Sequence, residues 1–229
     1  MRPIYEPKGK AKEYGDLAIN IYTGCPHRCF YCFAPTVLHK DRTLFHSIVE
    51  PRPGIVQAVK DQIKREHITG KLIHLCFTCD PYPTGYDSLA TRAIIEIIKE
   101  SGNHVQILTK GDGTRDFDLL DCQDWYGVTY DGEVRQLANT NIFLDLAEAR
   151  YRGIQTWVSY EPVLNANNVL WSIENVAKRQ IANKVKIGKL NYHQSFVDNK
   201  SFGQAAELIC QQCGIDYYIK DSLRKEMNK

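Results

Sequence analysis

Three cysteines lie close together near the start of the chain, at Cys25, Cys29 and Cys32. Cysteine thiolates are the usual ligands of iron–sulfur clusters, and a ferredoxin-type cluster takes four of them. A set of three leaves one iron without a protein ligand, and in zinc proteins an open coordination position distinguishes catalytic from structural sites. The spacing therefore predicts a [4Fe-4S] cluster whose fourth iron is available to a small molecule.

Structural zinc is the alternative interpretation of the same cysteines. In that case Cys76 and Cys79 would complete a set of four ligands with Cys29 and Cys32. Zinc ribbons separate their two CxxC pairs by roughly 15 to 20 residues. The stretch between Cys32 and Cys76 is longer than that, so the spacing favours the cluster.

Two further cysteines, Cys210 and Cys213, have the spacing of a thioredoxin-like motif. Such a motif gains its reactivity at the beginning of a helix. These two residues instead close a predicted helix before Gly214. We therefore interpret them as packing residues or incidental thiols.

The composition excludes several classes of protein. With 229 residues, of which 43% are hydrophobic, the chain can bury a full core, and we expect a single domain. A net charge of +2 gives no long-range field that would attract nucleic acid. No apolar run approaches the roughly 20 residues of a membrane span, and eight cysteines without a signal segment indicate a reducing compartment. We therefore expect a cytoplasmic protein that does not bind membranes.

Short β-rich runs alternate with amphipathic helical stretches, which is typical of a parallel sheet. The runs predict strands over residues 17–22, 72–78, 104–109, 126–130, 156–160 and 185–190. Asn167 and Asn168 are predicted helix caps, and Ala205, Leu208 and Ile209 form the last apolar helix stripe. Six units are too few for a closed eight-stranded barrel. We expect an α/β fold with an open (β/α)6 partial TIM barrel, or else a flat doubly wound sheet.

The segment Asn20-x-Tyr22-x-Gly24-Cys25-x-His27-x-Cys29-x-Tyr31-Cys32-Phe33-Ala34 resembles the signature of the radical S-adenosylmethionine (SAM) superfamily, specifically its spore photoproduct lyase-like or DNA repair photolyase-like group. Two later segments are similar to that group, Thr78-Cys79-Asp80-Pro81-Tyr82 and Thr109-Lys110 with Arg115-Asp116-x-Asp118-Leu119-Leu120. The resemblance covers about residues 17–121 and thins beyond them to Glu161-Pro162 and residues 186–191. It implies one radical SAM domain over residues 1–229, with a core over about residues 17–191 and a C-terminal helical extension over about residues 192–229.

The resemblance also implies the chemistry and the cofactors. SAM would bind the open iron of the cluster, and a flavodoxin- or ferredoxin-type reductant would supply the electron that cleaves SAM to methionine and a 5′-deoxyadenosyl radical. Tyr31 would lie beside the adenine. Asp80 and Lys110, at the ends of the second and third strands, would bind the amino group or ribose and the carboxylate of SAM. Thr129 and Glu161, at the ends of the fourth and fifth strands, are the remaining candidate binding residues.

Some of these residues also have structural interpretations. A buried Glu161 needs a partner such as Lys189 or Arg135 whatever its role, because an unpaired buried carboxylate is costly. Arg115 and Asp116, near a predicted helix start, have the alternative role of capping that helix and pairing with the charges at the strand ends.

Cys79 is a candidate hydrogen-atom donor. Lyases of the resembling group quench a product radical with a cysteine, which the resemblance places near Phe77 in this sequence. Because side chains alternate along a strand, Cys79 would face the cavity with Phe77, and Cys76 would point outward.

Lys184 and Lys186 alternate with Val185 and Ile187, so both charges lie on one face of a predicted strand. Lysines often protect the edge of a sheet from unwanted pairing. We therefore interpret this run as an edge strand without a catalytic role.

The sequence leaves the substrate open. One hypothesis is a radical SAM enzyme that acts on a nucleic-acid lesion or base, and another is one that acts on a small metabolite or peptide with a partner protein. A hypothesis of a different class is a non-catalytic iron–sulfur or zinc-binding interaction module, which would need no SAM pocket.

Overall fold

The computed structural model describes residues 2–133 and 139–229. The chain divides into two compact units, Met1–Trp125 and Tyr126–Lys229. Strands alternate with helices in both units, and the predicted α/β class is confirmed. Arg135 lies outside the described residues.

The first unit contains three strands, β1 to β3, among helices. The strands are β1 (Leu17–Ile19), β2 (Leu72–Leu75) and β3 (His104–Thr109). The helices are α1 (Ala34–Val37), α2 (Arg42–Ser47), α3 (Ile55–Glu66) and α4 (Leu89–Glu100), with 3-10 helices at Gly9–Glu13 and Thr114–Leu119. The strands are hydrogen-bonded in chain order and run parallel, so their carboxyl ends meet at one edge of the sheet.

Apolar side chains hold this arrangement together. Val59 of α3 and Ile98 of α4 are fully buried, as are Ile73 and Leu75 of β2. Burying a side chain of this kind stabilises a fold by about 1.5–3 kcal/mol. The buried apolar faces of α3 and α4 therefore contribute to the stability of this unit.

The second unit contains β4 to β7, of which β4 begins at the last residue of the first unit. Its elements are β4 (Trp125–Thr129), α5 (Ile142–Tyr151), β5 (Gln155–Tyr160), α6 (Ala166–Lys178), β6 (Lys184–Ile187), α7 (Asn199–Cys213), β7 (Asp216–Ile219) and α8 (Asp221–Met227). These strands are neighbours in chain order, and β6 is parallel to both β5 and β7.

Strand β7 lies within the segment that was predicted to be helical, and it corrects two predictions. It pairs with β6, so β6 is not an edge strand. Lys186 on β6 is only 7% exposed. Its ammonium lies 5.5 Å from the ring centroid of Trp157 and 6.0 Å from that of Tyr218. The lysine therefore packs against aromatic rings and does not protect an edge.

Two helix predictions in this unit were wrong in detail. The side chain that caps α6 is Asn165, which accepts a hydrogen bond from the Asn168 N–H, and neither Asn167 nor Asn168 is the cap. Leu208 of the last predicted stripe is 53% exposed, and α7 buries Phe202 instead. The predicted stripe is therefore not the buried face of α7, because this helix packs on α6 and α8 as well as on the sheet.

Strand β2 is shorter than predicted because Cys76 adopts a left-handed backbone conformation, with φ of 70°. A strand does not continue through such a residue. The alternation of side chains that predicted the orientations of Phe77 and Cys79 therefore stops at Leu75. Among the residues that the structure describes, none of the helices has the length and apolar character that a membrane span requires.

Candidate functional site

The loop between β1 and α1 carries Cys25, Cys29 and Cys32 as free, half-buried thiols. The loop begins at Gly24, where a side chain would collide with α2. A Cβ atom at this position would lie 2.2 Å from the Phe45 carbonyl oxygen. The cysteine loop is thus pressed against α2, and only glycine permits this approach.

Two side chains of α2 hold the backbone of the cysteine loop. The Arg42 guanidinium donates to the carbonyl oxygens of Cys29 at 2.5 Å, of Phe30 at 2.9 Å and of Cys32 at 3.1 Å. His46 Nδ1 donates to the carbonyl oxygen of Cys25 at 2.7 Å. The carbonyl groups are therefore occupied by protein donors.

The electrostatics of this loop suit a metal centre. Burial, and then the charge of Asp80, raise the pKa of the Cys25 thiol, and burial also raises the pKa of Cys32. Thiolates at these positions need a positive charge to offset the cost of burial, which metal ions supply. Three thiols without an acidic ligand form a soft donor set, which suits iron–sulfur chemistry.

His27 connects the cysteine loop to the segment after β2. Its side chain is only 3% exposed, with Nδ1 lying 3.4 Å from Asp80 Oδ2. The Thr84 N–H donates to His27 Nε2 at 3.4 Å, so the ring proton is on Nδ1 and faces the carboxylate. Burial lowers the pKa of His27, which favours this neutral form.

Asp80 joins three segments of the first unit. One carboxylate oxygen accepts the Thr109 hydroxyl at 2.5 Å and the Tyr82 N–H at 2.8 Å, and the other accepts the Lys110 N–H at 2.8 Å. With His27 added, both oxygens are committed to protein donors. Asp80 therefore positions the cysteine loop and the end of β3, and its contact with SAM stays a prediction.

The structure brings Lys110 and Tyr31 together. The Lys110 ammonium lies 5.5 Å from the centroid of the Tyr31 ring, within the range of a cation–π interaction. Lys110 follows β3 and Tyr31 belongs to the cysteine loop. A positive charge and an aromatic face are therefore next to the three thiols.

Asn20, a member of the signature with no predicted role, organises the segment after β2. Its Oδ1 accepts the N–H groups of Phe77 at 2.8 Å and Thr78 at 2.9 Å, and its Nδ2 donates to the Tyr5 hydroxyl at 2.8 Å. Spacing could not assign this role, because the three partners are distant in sequence from Asn20.

Asp116 and Arg115 belong to a separate ion-pair group. The fully buried Asp116 carboxylate lies 3.0 Å from Arg92 and 3.1 Å from Arg115. It also accepts the Tyr82 hydroxyl at 3.1 Å. Arg115 and Asp116 thus make structural contacts, but not the predicted ones. Gly113 precedes the 3-10 helix without a side-chain cap, and the partners of Asp116 are Arg92, Arg115 and Tyr82.

Glu161 and Thr129 lie in the second unit, at the ends of β5 and β4. Glu161 Oε2 accepts the Lys220 ammonium at 2.6 Å, and Oε1 accepts the Asn191 side-chain amide at 3.2 Å. Lys220 is only 2% exposed and was missed because it follows the unpredicted β7. The expected partner Lys189 pairs with Glu226 instead, at 2.5 Å.

The relatives found by comparison with known proteins are described only as uncharacterized proteins. No protein-family model matches the chain. The chain is 32% identical over 98 residues to an uncharacterized protein of Mycobacterium bovis and to uncharacterized proteins of two Mycobacterium tuberculosis strains. Each match covers 41% of this chain and 29% of the relative, so the chain spans less than a third of the length of the curated relatives it matches.

The remaining predicted residue, Cys79, contacts Cys76 and accepts a hydrogen bond at Sγ from the Tyr22 N–H at 3.4 Å. The role of Cys79 as a hydrogen-atom donor stays a prediction.

Proposed function

We propose that this protein is a radical SAM enzyme with a (β/α)6 partial-barrel core, in which Cys25, Cys29 and Cys32 bind three irons of a [4Fe-4S] cluster. The observation that carries this proposal is the cysteine loop itself. It bears three buried or half-buried thiols, and Arg42 and His46 occupy its carbonyl groups. The loop therefore offers a cluster three soft ligands and no fourth.

When bound and reduced, the cluster supplies the electron that cleaves SAM to methionine and a 5′-deoxyadenosyl radical, which abstracts hydrogen from a substrate. In this proposal Lys110 pairs with the carboxylate of SAM, and Tyr31 lies beside the adenine. The contact between Lys110 and Tyr31 supports these roles, because one small molecule can reach both groups.

His27 and Asp80 have positioning roles in this proposal. Asp80 binds the backbone N–H of Lys110 and the ring of His27, so it fixes the start of the Lys110 side chain relative to the cysteine loop. The groups that donate hydrogen bonds to Asp80 are neutral, so they do not cancel the negative charge of its carboxylate. That charge then stabilises the amino group of a bound SAM. The roles of Glu161 and Thr129, which lie in the second unit, as SAM- or substrate-binding residues stay predictions.

The test is anaerobic reconstitution with iron and sulfide, followed by dithionite and SAM, with 5′-deoxyadenosine measured by chromatography. We expect deoxyadenosine from the wild type and none from the Cys25/Cys29/Cys32→Ala variant. A Cys122→Ala variant is the matched control, because Cys122 is exposed and lies outside the loop. Flavodoxin and ferredoxin then replace dithionite as reductants, and damaged DNA and nucleosides are the first substrates to screen.

Two other outcomes would overturn the proposal. A cluster that forms but never cleaves SAM with any of these reductants would instead support a non-catalytic iron–sulfur module. Binding of zinc alone, with no iron–sulfur absorption, would support the structural zinc site.

A further inference from the structure

A second pair of thiols lies after β2, separate from the three loop cysteines. Cys76 and Cys79 are in hydrogen-bond contact with each other. The contact follows from the backbone. Cys76 is left-handed, with φ of 70°, and the next two N–H groups, of Phe77 and Thr78, both bind Asn20 Oδ1. The chain is therefore bent over residues 77–79 and does not continue as a strand.

The two sulfur atoms have different surroundings. Cys79 is half-buried, and its Sγ accepts the Tyr22 N–H at 3.4 Å in addition to the Cys76 thiol. Cys76 is only 5% exposed. Burial alone would raise the pKa of Cys79, but the hydrogen bonds from Cys76 and from the backbone N–H groups of Tyr22 and Ile21 lower it below its ordinary value. Burial and the neighbouring Cys79 raise the pKa of Cys76.

Such an asymmetric pair is suited to thiol–disulfide exchange. The attacking group is a thiolate, which is favoured where backbone N–H groups and a thiol donor surround the sulfur. The second thiol must stay protonated until it attacks in turn. A non-glycine residue in a left-handed conformation is also costly, and such strain is concentrated at functional sites.

We infer that Cys76 and Cys79 form a redox-active dithiol that reduces low-molecular-weight disulfides. This activity goes beyond the proposed radical chemistry and requires neither the cluster nor SAM. The partly exposed Cys79 is the group that reaches the substrate, and the buried Cys76 is the resolving thiol.

The reaction has two balanced steps. The Cys79 thiolate attacks one sulfur of the substrate disulfide RSSR, which forms the mixed disulfide Cys79–S–SR and releases RS⁻. Cys76 then loses its proton and attacks Cys79 Sγ, which forms the Cys76–Cys79 disulfide and releases a second RS⁻. The protein loses two electrons, which reduce the substrate disulfide to one thiol and one thiolate, because the proton of Cys76 passes to one of the two released thiolates.

The chain contains its own matched control. Cys210 and Cys213 have the same spacing but belong to the last turn of α7. Burial, and then the charge of Cys213, raise the pKa of Cys210 to about 12. This pair lies in a regular helix, without the left-handed residue and the bend of the segment after β2, so it should be a poorer dithiol.

The experiment equilibrates the full chain anaerobically with mixtures of oxidised and reduced glutathione, then quenches with acid, alkylates and digests with trypsin. The tryptic peptide over residues 72–92 contains just Cys76 and Cys79, and the peptide over residues 201–220 contains just Cys210 and Cys213. We expect the first peptide to lose two hydrogen atoms at a glutathione mixture at least about tenfold more reducing than the second requires.

A Cys76→Ser variant should trap glutathione on Cys79, because the resolving thiol is gone. Equal oxidation of the two peptides would overturn the inference, and this comparison needs no variant to fold. A Cys79→Ser variant that binds less iron than a Cys122→Ser variant would also overturn it, since Cys79 would then be a cluster ligand. None of these readouts depends on SAM cleavage, so the outcome is separable from that of the proposed function.

Discussion

Asp80 in the first unit and Glu161 in the second are carboxylates in corresponding positions, each just after a parallel strand. Their partners differ. Asp80 is bound by neutral donors, namely a hydroxyl, two backbone N–H groups and the His27 ring. Glu161 is bound by the buried ammonium of Lys220. Neutral donors leave the negative charge available to a cationic ligand, whereas an ammonium neutralises it. A carboxylate that follows a parallel strand therefore keeps its negative charge at Asp80 and has it neutralised at Glu161.

The largest effect is expected from removing the charge partner of Glu161. A Lys220→Met substitution leaves a carboxylate that is only 15% exposed without its counter-charge. Breaking a buried ion pair from one side costs about 3–5 kcal/mol, so we expect a loss of about 3 kcal/mol in the free energy of unfolding, measured in urea by circular dichroism.

Two further variants sharpen this result. Lys189→Met removes a more exposed partner, of Glu226, and should cost less than about 1 kcal/mol. The double variant Lys220→Met with Glu161→Gln should recover part of the loss. If the double variant is as unstable as Lys220→Met alone, Lys220 contributes through packing and the comparison fails.

An intermediate effect is expected at Asp80. An Asp80→Asn substitution keeps the shape but replaces one acceptor oxygen with a donor, which then faces protein donors. Leaving such groups unsatisfied costs about 1–3 kcal/mol, so we expect a loss of about 2 kcal/mol in the same measurement. Asp112→Asn is the matched control, because Asp112 is exposed and its one acceptor oxygen is preserved in asparagine. Equal stability of the two variants would show that the Asp80 bonds contribute nothing.

The smallest effect concerns a lysine of the second unit that is penalised by burial. Burial lowers the pKa of Lys184 below its ordinary value, although Asp216 partly opposes this. The unfolded state therefore binds the proton more tightly, and the cost to the folded state is present below the folded pKa and disappears as the pH rises above about 10.5.

We accordingly expect Lys184→Met to stabilise the protein at pH 7 by less than about 1 kcal/mol, with the gain shrinking towards pH 10.5. Thermal unfolding across this pH range measures the effect. A gain that is constant with pH would mean that methionine packs better and that titration of Lys184 is not the cause.

Sequence reasoning succeeded where a pattern is local. Strand β3 has the predicted bounds, because its apolar run is a local pattern. Sequence reasoning failed where distant elements decide. Strand β7 was missed because it is a short, half-exposed run. The predicted buried face of α7 was wrong because that helix also packs on other helices. The early end of β2 depends on a left-handed Cys76, a conformation that no residue type other than glycine signals reliably.

The sequence by itself determined the residue types: three soft ligands on one loop, carboxylates after two strands, and a second CxxC segment after β2. Only the tertiary structure decided their partners. It bound Asp80 to His27 and Lys110, and Glu161 to Lys220, and it turned Cys76 towards Cys79. The physical reason is that a hydrogen bond or ion pair depends on the positions of both groups, and parallel strands bring together residues that are far apart in the chain.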